Sequence, residues 1–300
     1  MSEEIITFGS ARSLVGILHK PSPARKDLPT VVLLNAGILH RVGPNRLYVS
    51  LARQLEKAGF HVFRFDVWGI GDSQDRNGDA GNRTFVDDTL EAFEMLKERT
   101  GTERFMVLGI CMGAQIALAV ADCDARVESL VLMEGIYVKS ARYYITRVLD
   151  PHKWQRVITG ESQMVKKLRT KLLKTVAKQT NGQQPAAAAS KPNKVGDDGA
   201  LTSFLVRNRN QNMKDKLGKL LARGTRIMLV FRDGNEIAYN YRLRTDGDDI
   251  YAVGLPRGLD VAFIKFADHT FTPVLSQDLL VKTTMKWVSL TNNITESVHG

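Results

Sequence analysis

The sequence predicts a doubly wound α/β fold, in which a mostly parallel β-sheet carries helices on both faces. Short apolar runs recur along the chain without strict alternation of apolar and polar residues, which is typical of strands covered on both sides. Amphipathic stretches of helical period lie between these runs, and such alternation favours a parallel sheet. The chain has 300 residues, 43% of them hydrophobic, and can bury this core without disulfide bonds.

Six apolar runs are predicted to form the strands of this sheet. They are Val31–Leu34, His61–Phe65, Phe105–Leu108, Leu130–Met133, Thr225–Phe231 and Val261–Phe266. Ile5–His19 is rich in β-forming residues and predicts an antiparallel hairpin at the sheet edge. Apolar stripes at helical spacing predict the helices, which are Leu47–Ala58, Thr84–Arg99, Met112–Ala121 and a last segment around Lys282–Val288.

Residues 137–221 interrupt the alternation of strands and helices. We therefore predict an N-terminal core part at 1–136, a helical lid insertion at 137–221 and a C-terminal core part at 222–300. The insertion contains a stretch rich in Gly, Gln, Pro and Ala, which predicts a flexible loop near 181–200. An insertion between two strands of such a sheet is expected to cover the carboxyl edge, where ligands bind.

The net charge of +10 comes from one segment of the chain. Glu161–Arg226 carries ten Lys and five Arg against four acids, a net +11. Its only aromatic residue is Phe204, and nucleic-acid binding would call for stacking aromatics among the charges, so no nucleic-acid partner is expected. A solvated surface is the favoured interpretation, and a binding surface for an acidic carrier protein is the alternative.

Composition also bears on location and cofactors. The two cysteines, Cys111 and Cys123, are too few for a disulfide framework and fit a reducing compartment. The first residues have no apolar signal region, and no apolar run approaches the ~18 residues that span a bilayer. We expect a cytoplasmic protein without a transmembrane segment. No metal-ligand spacing, dinucleotide fingerprint or phosphate-binding loop occurs, and no cofactor is expected.

The strongest motif for chemistry is Gly109-Ile-Cys-Met-Gly113, between a predicted buried strand and a predicted helix. This is the spacing of a nucleophile elbow, in which glycines let neighbouring backbones approach a nucleophile held in a strained turn. The N–H groups of the helix N-terminus favour a thiolate and a developing oxyanion. The motif therefore predicts Cys111 as nucleophile and the Met112 N–H as an oxyanion donor. Cys123 lies away from any such turn and is interpreted as structural.

The general base of such an enzyme is expected after the last strand of the sheet. His269 lies in Ala267-Asp-His-Thr-Phe271, directly after the last predicted strand. The chain order of Cys111 and His269 and their strand context agree, so we predict His269 as the base that deprotonates Cys111.

Four motifs resemble those of α/β-hydrolases, and most closely those of exosortase A system-associated hydrolases. They are Asn35–Arg46, Arg64–Ser73, Gly109–Gly113 and Ala267–Phe271, and the likeness covers about residues 5–135 and 220–290. The resemblance implies an α/β-hydrolase fold. It also implies a second oxyanion donor at the Ile38 N–H.

The resemblance implies that the acid of the triad follows the strand Ile227–Phe231. Register with the family pattern points to Asn235, whereas Asp233 is preferred because a carboxylate stabilises imidazolium more strongly than an amide does. Glu236 and Glu134, which follows another predicted strand, remain candidates.

We therefore expect an ester or thioester hydrolase that forms an acyl-enzyme on a small-molecule or carrier-bound acyl substrate. An acyltransferase of the same mechanism and a non-catalytic hydrolase-fold binding or scaffold protein are the alternatives.

Overall fold

A computed structural model describes residues 2–74, 85–135, 213–232 and 257–292 of the chain. Eight strands of the described residues form one sheet in the order β1-β2-β4-β3-β5-β6-β7-β8. Their bounds are β1 Ser2–Phe8, β2 Leu14–Lys20, β3 Thr30–Leu34, β4 Val62–Asp66, β5 Phe105–Ile110, β6 Val127–Met133, β7 Arg226–Arg232 and β8 Leu259–Ile264.

The sheet is parallel from β4 through β3 and β5 to β8, and the predicted fold class is confirmed. At one edge, β1 pairs antiparallel with β2, and β2 pairs antiparallel with β4. This is the edge hairpin predicted for Ile5–His19, and it is confirmed.

Five α-helices occur among the described residues. They are α1 Leu47–Lys57, α2 Phe85–Thr100, α3 Met112–Cys123, α4 Met213–Ala222 and α5 Val274–Thr291. One face of the sheet packs against α2, α3 and α4, and the opposite face packs against α1 and α5. Along β5, for example, Phe105 and Val107 enter one core, while Met106 and Leu108 enter the other. Because side chains alternate across a strand, both faces are buried and the strand is apolar throughout.

The predicted insertion is described only in its last residues. Residues 137–212, including the flexible loop expected near 181–200, lie outside the described residues. Within the rest of the predicted insertion, α4 buries Leu217 and Leu220 in the core on the α3 face. Of the helices that the structure describes, none has the length and apolar character needed to cross a membrane.

Parallel strands bring their carboxyl ends to the same edge of a sheet, and the predicted site residues in the described part of the chain lie at this carboxyl edge. The elbow follows β5, Glu134 follows β6, and the loop with His269 follows β8. The loop with Ile38 follows β3 at the same edge. Residues far apart in sequence are therefore brought together by strand order, as in other open α/β sheets.

Candidate active site

Cys111 occupies the sharp turn between β5 and α3. It is the residue before the first turn of the helix and has φ 55° and ψ −109°. A positive φ is strained for a residue with a side chain, and such strain is maintained where the surrounding structure dictates it. The turn leaves the Cys111 side chain partly exposed at the sheet edge, next to the free N–H groups of α3.

Three glycines make the backbone approaches that this turn requires. A Cβ atom on Gly109 would lie 2.2 Å from the Gly113 carbonyl carbon, so β5 and α3 touch here. A Cβ on Gly113 would lie 2.8 Å from the Leu34 carbonyl oxygen, at the end of β3. A Cβ on Gly135 would lie 2.2 Å from the Cys111 carbonyl oxygen. The first two glycines are those of the predicted elbow, whereas Gly135 belongs to the turn after β6.

His269 lies in a loop that is ordered by the preceding residue. The Asp268 carboxylate accepts hydrogen bonds from the N–H groups of Thr270 (3.1 Å) and Thr272 (2.8 Å). The imidazole interacts with the Cys111 side chain, and this interaction favours its charged form. Its Nδ1 lies 3.2 Å from Oε2 of Glu134, which leaves Nε2 for the thiol. Cys111 and His269, the predicted nucleophile and base, are thus brought together.

Glu134 is the third member of this chain of contacts, on the far side of His269 from Cys111. Its side chain is fully buried, and its Oε1 accepts a 2.7 Å hydrogen bond from the Arg232 N–H at the end of β7. The Arg232 Nε lies 3.7 Å from Oε2, an ion-pair distance and not a hydrogen bond. Glu134 has φ 50°, so its backbone is also strained. The strained turn after β6 directs this carboxylate toward Nδ1 of His269.

The other candidates for the acid follow β7, beyond the part of the chain that the structure describes there. Asp233, Asn235 and Glu236 lie outside the described residues. The sequence ranked Glu134 behind them because the family pattern favours an acid after β7. The sequence did give one indication for Glu134, because it directly follows a predicted strand. That strand, β6, lies beside β5, which leads into the elbow.

The pKa of His269 is raised to about 10 by its interaction with the Cys111 side chain and then by its hydrogen bond with Glu134, against the opposing effect of burial. Both partners favour the imidazolium form, and the carboxylate also favours the tautomer that carries the proton on Nδ1. The arrangement therefore favours the protonated form of His269.

The two predicted oxyanion donors lie on separate segments at this edge. Met112 is the first residue of α3, and Ile38 lies in the loop after β3 with 80% of its surface exposed. Neither N–H group donates to an acceptor in the portion of the chain that is described.

The loop with Ile38 is anchored by a buried amide and a buried carboxylate. The Asn35 Nδ2 donates to the Leu39 carbonyl (2.9 Å) and to Oδ1 of Asp66 (3.0 Å). The Arg41 guanidinium binds Asp66 and, at 2.5 Å, Asp72. The sequence pattern identified none of Asn35, Asp66 or Arg41 as a support of the predicted oxyanion donor. Fixed backbone donors need such support, because stabilisation of a charge depends on their position.

Positive φ angles recur in non-glycine residues around this site. They are 55° at Cys111, 50° at Glu134, 58° at Phe266 and 54° at Phe271. Each such residue costs about 1–3 kcal/mol, and such residues are common at functional sites. In the described segments, no group of three or more His, Cys, Asp or Glu side chains is arranged to hold a metal ion.

Comparison with known proteins finds relatives of this chain over part of its length. Esterase EstD of Thermotoga maritima is 29% identical over 98 residues, which are 31% of this chain and 24% of the esterase. Human protein ABHD12B is 26% identical over 167 residues, which are 50% of this chain and 45% of that protein. The match spans less than half the length of either relative.

The fold is similar to that of solved structures. Est1E from Butyrivibrio proteoclasticus superimposes with a TM-score of 0.57 at 12% identity, covering 97% of this chain and 99% of Est1E. At this identity the likeness concerns the fold. A family model described as serine aminopeptidase, S33, matches residues 31–224, more than half of the chain. The chain therefore belongs to this family of α/β-hydrolases.

Proposed function

We propose that this α/β-hydrolase is an ester or thioester hydrolase with Cys111 as nucleophile, His269 as base and Glu134 as the orienting acid. The observation that carries the proposal is that His269 interacts with the Cys111 side chain and, through Nδ1, with buried Glu134. Nucleophile, base and orienting acceptor in that order are the arrangement that covalent acyl transfer requires.

The proposed reaction begins with transfer of the Cys111 proton to Nε2 of His269. The thiolate attacks the carbonyl carbon of the substrate, and the Met112 and Ile38 N–H groups bind the oxyanion. Collapse of the tetrahedral intermediate expels the alcohol or thiol, which takes its proton from His269 and leaves an acyl-enzyme. Neutral His269 then removes a proton from water, which attacks the thioester and releases the acid.

A cysteine nucleophile distinguishes this chain from the serine enzyme for which its family model is described. The elbow residue is Cys111, and the raised pKa of His269 favours the imidazolium that forms when His269 takes the Cys111 proton. On the motifs around Asn35, Cys111 and His269, we infer that this chain is a cysteine-type α/β-hydrolase similar to exosortase A system-associated hydrolases. A cytoplasmic location and a carrier-bound substrate recognised by the basic segment remain predictions.

Acyl-enzyme trapping tests the proposal directly. Wild-type protein is mixed with a p-nitrophenyl ester or a small thioester, quenched in acid and analysed by mass spectrometry of its peptides. We expect the acyl group on the peptide that contains Cys111, and none in Cys111→Ala, because no second nucleophile occupies the elbow.

The second cysteine provides a matched control. The exposed Cys123 donates to carbonyls of its own helix, so Cys123→Ala is expected to acylate at the wild-type rate. Turnover by Cys111→Ala at the wild-type rate, or acylation found on Cys123, would exclude the proposed mechanism.

A further inference from the structure

The side chain of Tyr48 is held rigidly inside the protein. Tyr48 is the second residue of α1, and it is fully buried in the core on the α1 face. Its backbone N–H donates to the Val42 carbonyl at 3.2 Å. The backbone of Gly43 lies against the ring, since a Cβ there would be 2.6 Å from the Tyr48 Cγ. Burial and these contacts hold the ring in place.

The hydroxyl of this ring joins the ends of two strands. It donates to the Leu34 carbonyl at 2.8 Å and accepts from the Ile110 N–H at 3.0 Å. Leu34 ends β3 and pairs with Gly109 at the last rung of the β3–β5 ladder, and Ile110, the next residue, ends β5. Burial raises the pKa of Tyr48 above its ordinary value, so the hydroxyl keeps the proton that it donates. A phenylalanine would fill the same apolar volume without burying a polar group.

These two strand ends lead to the two proposed oxyanion donors. Ile38 lies four residues after Leu34, and Met112 lies two residues after Ile110. The first turn of α3 also rests on the Leu34 carbonyl, through the close approach of Gly113. The Leu34 carbonyl therefore contacts both the Tyr48 hydroxyl and the backbone of α3, the helix that carries Met112. The distance between the donors depends on how these strand ends are held.

We propose that Tyr48 is a positioning residue that sets the spacing of the oxyanion hole, an inference that rests on the proposed acyl-transfer function. The hydroxyl does not reach the reacting atoms. It fixes the relative position of the loop after β3 and the elbow after β5. Loss of one oxyanion donor costs about 100- to 1,000-fold in rate, and small displacements cost up to about 100-fold, so removal of the hydroxyl is expected to fall in the lower range.

Tyr48→Phe tests this role, because it removes the hydroxyl and keeps the ring. We expect single-turnover acylation to fall by about 10- to 100-fold, with KM within about twofold of wild type. Alkylation of Cys111 by iodoacetamide forms no oxyanion, and its rate is expected to stay within about twofold. Gly43→Ala, which pushes on the ring without removing the hydroxyl, provides a second variant with the same expected pattern.

Phe60→Leu is the matched control for lost stability. Phe60 is fully buried in the same core, but it precedes β4 and so lies at the amino ends of the parallel strands, away from the site. It is expected to lower the melting temperature and leave acylation within about twofold.

The possible outcomes separate the positioning role from the function on which it rests. Acylation within twofold of wild type in both Tyr48→Phe and Gly43→Ala would refute the role of Tyr48 alone. So would a parallel fall in acylation and alkylation, or an equal loss in Phe60→Leu. Wild-type protein that forms no acyl-enzyme with any ester or thioester would refute the proposed function and, with it, this inference.

Discussion

Replacement of Glu134 by glutamine is the sharpest test of the proposed triad. The glutamine carbonyl can still accept the 2.7 Å hydrogen bond from the Arg232 N–H, so the turn after β6 is expected to keep its structure. The amide NH2 group would then face Nδ1 of His269, which now lies 3.2 Å from a carboxylate oxygen. The amide N–H and a protonated Nδ1 would both be donors, so they cannot hydrogen-bond to each other. The imidazole is therefore expected to carry its proton on Nε2, and Nε2 can then no longer accept the proton of Cys111.

The expected loss follows from the contacts that the substitution removes. A hydrogen bond to a charged group is worth about 1.5–3 kcal/mol, which corresponds to roughly 10- to 150-fold in rate. A wrong histidine tautomer in a serine triad costs up to about 10,000-fold. A cysteine nucleophile ionises more readily than serine, so we expect an intermediate loss of about 100- to 1,000-fold in the rate of acylation.

Stopped-flow acylation with a p-nitrophenyl ester at pH 7.5 measures this loss, and urea unfolding checks that the variant remains folded. Asp233→Asn, Asn235→Ala and Glu236→Gln are the matched controls, and they are expected to stay within about threefold of wild type. The reasoning fails if Glu134→Gln acylates at the wild-type rate while one of the three controls loses about 100-fold. The acid would then lie after β7, as the family pattern suggested.

Two further predictions concern the titration of His269 and the glycines of the elbow. The folded pKa of His269, about 10, lies above the unfolded value near 6.5, so its stabilisation is complete below pH 6.5 and is lost as pH rises through about 10. Histidine chemical shifts should show a midpoint near 10 that falls in Glu134→Gln, and a wild-type midpoint near 6.5 would contradict the ion pair. Gly109→Ala forces β5 away from α3 and is expected to destabilise the protein by about 2–3 kcal/mol in urea unfolding. Gly218→Ala, in open space on α4, is expected to be neutral or stabilising by up to about 1 kcal/mol, and equal losses in the two variants would refute the close approach.

Apolar runs located the strands of the sheet but not their ends. The run Leu130–Met133 predicted only part of β6, which begins at Val127, because Glu128 and Ser129 interrupt the apolar pattern. Val127 and Ser129 still pair with β5, and the register shifts at Glu128 between them. Val261–Phe266 was predicted as the last strand, whereas β8 ends at Ile264. The left-handed backbone of Phe266, with φ 58°, cannot continue a strand.

Local spacing carried information about Cys111 and His269, but tertiary contacts decide which groups support them. Glu134 reaches His269 only because β6 lies beside β5 and the turn after β6 is left-handed. Tyr48 has the sequence signature of a core aromatic residue on an amphipathic helix. Its hydroxyl finds partners at the ends of β3 and β5, which no pattern within α1 specifies.

The strained backbone around the catalytic edge has a consequence for the evolution of this protein. Cys111, Glu134, Phe266 and Phe271 all have left-handed φ angles, so the region that performs the proposed chemistry opposes folding by several kcal/mol in total. Substitutions that relax these angles would raise thermal resistance and disturb the geometry of the thiol and the carboxylate. Selection for heat tolerance alone would therefore enrich inactive variants at this edge, whereas the opposite edge of the sheet can gain stability without such conflict.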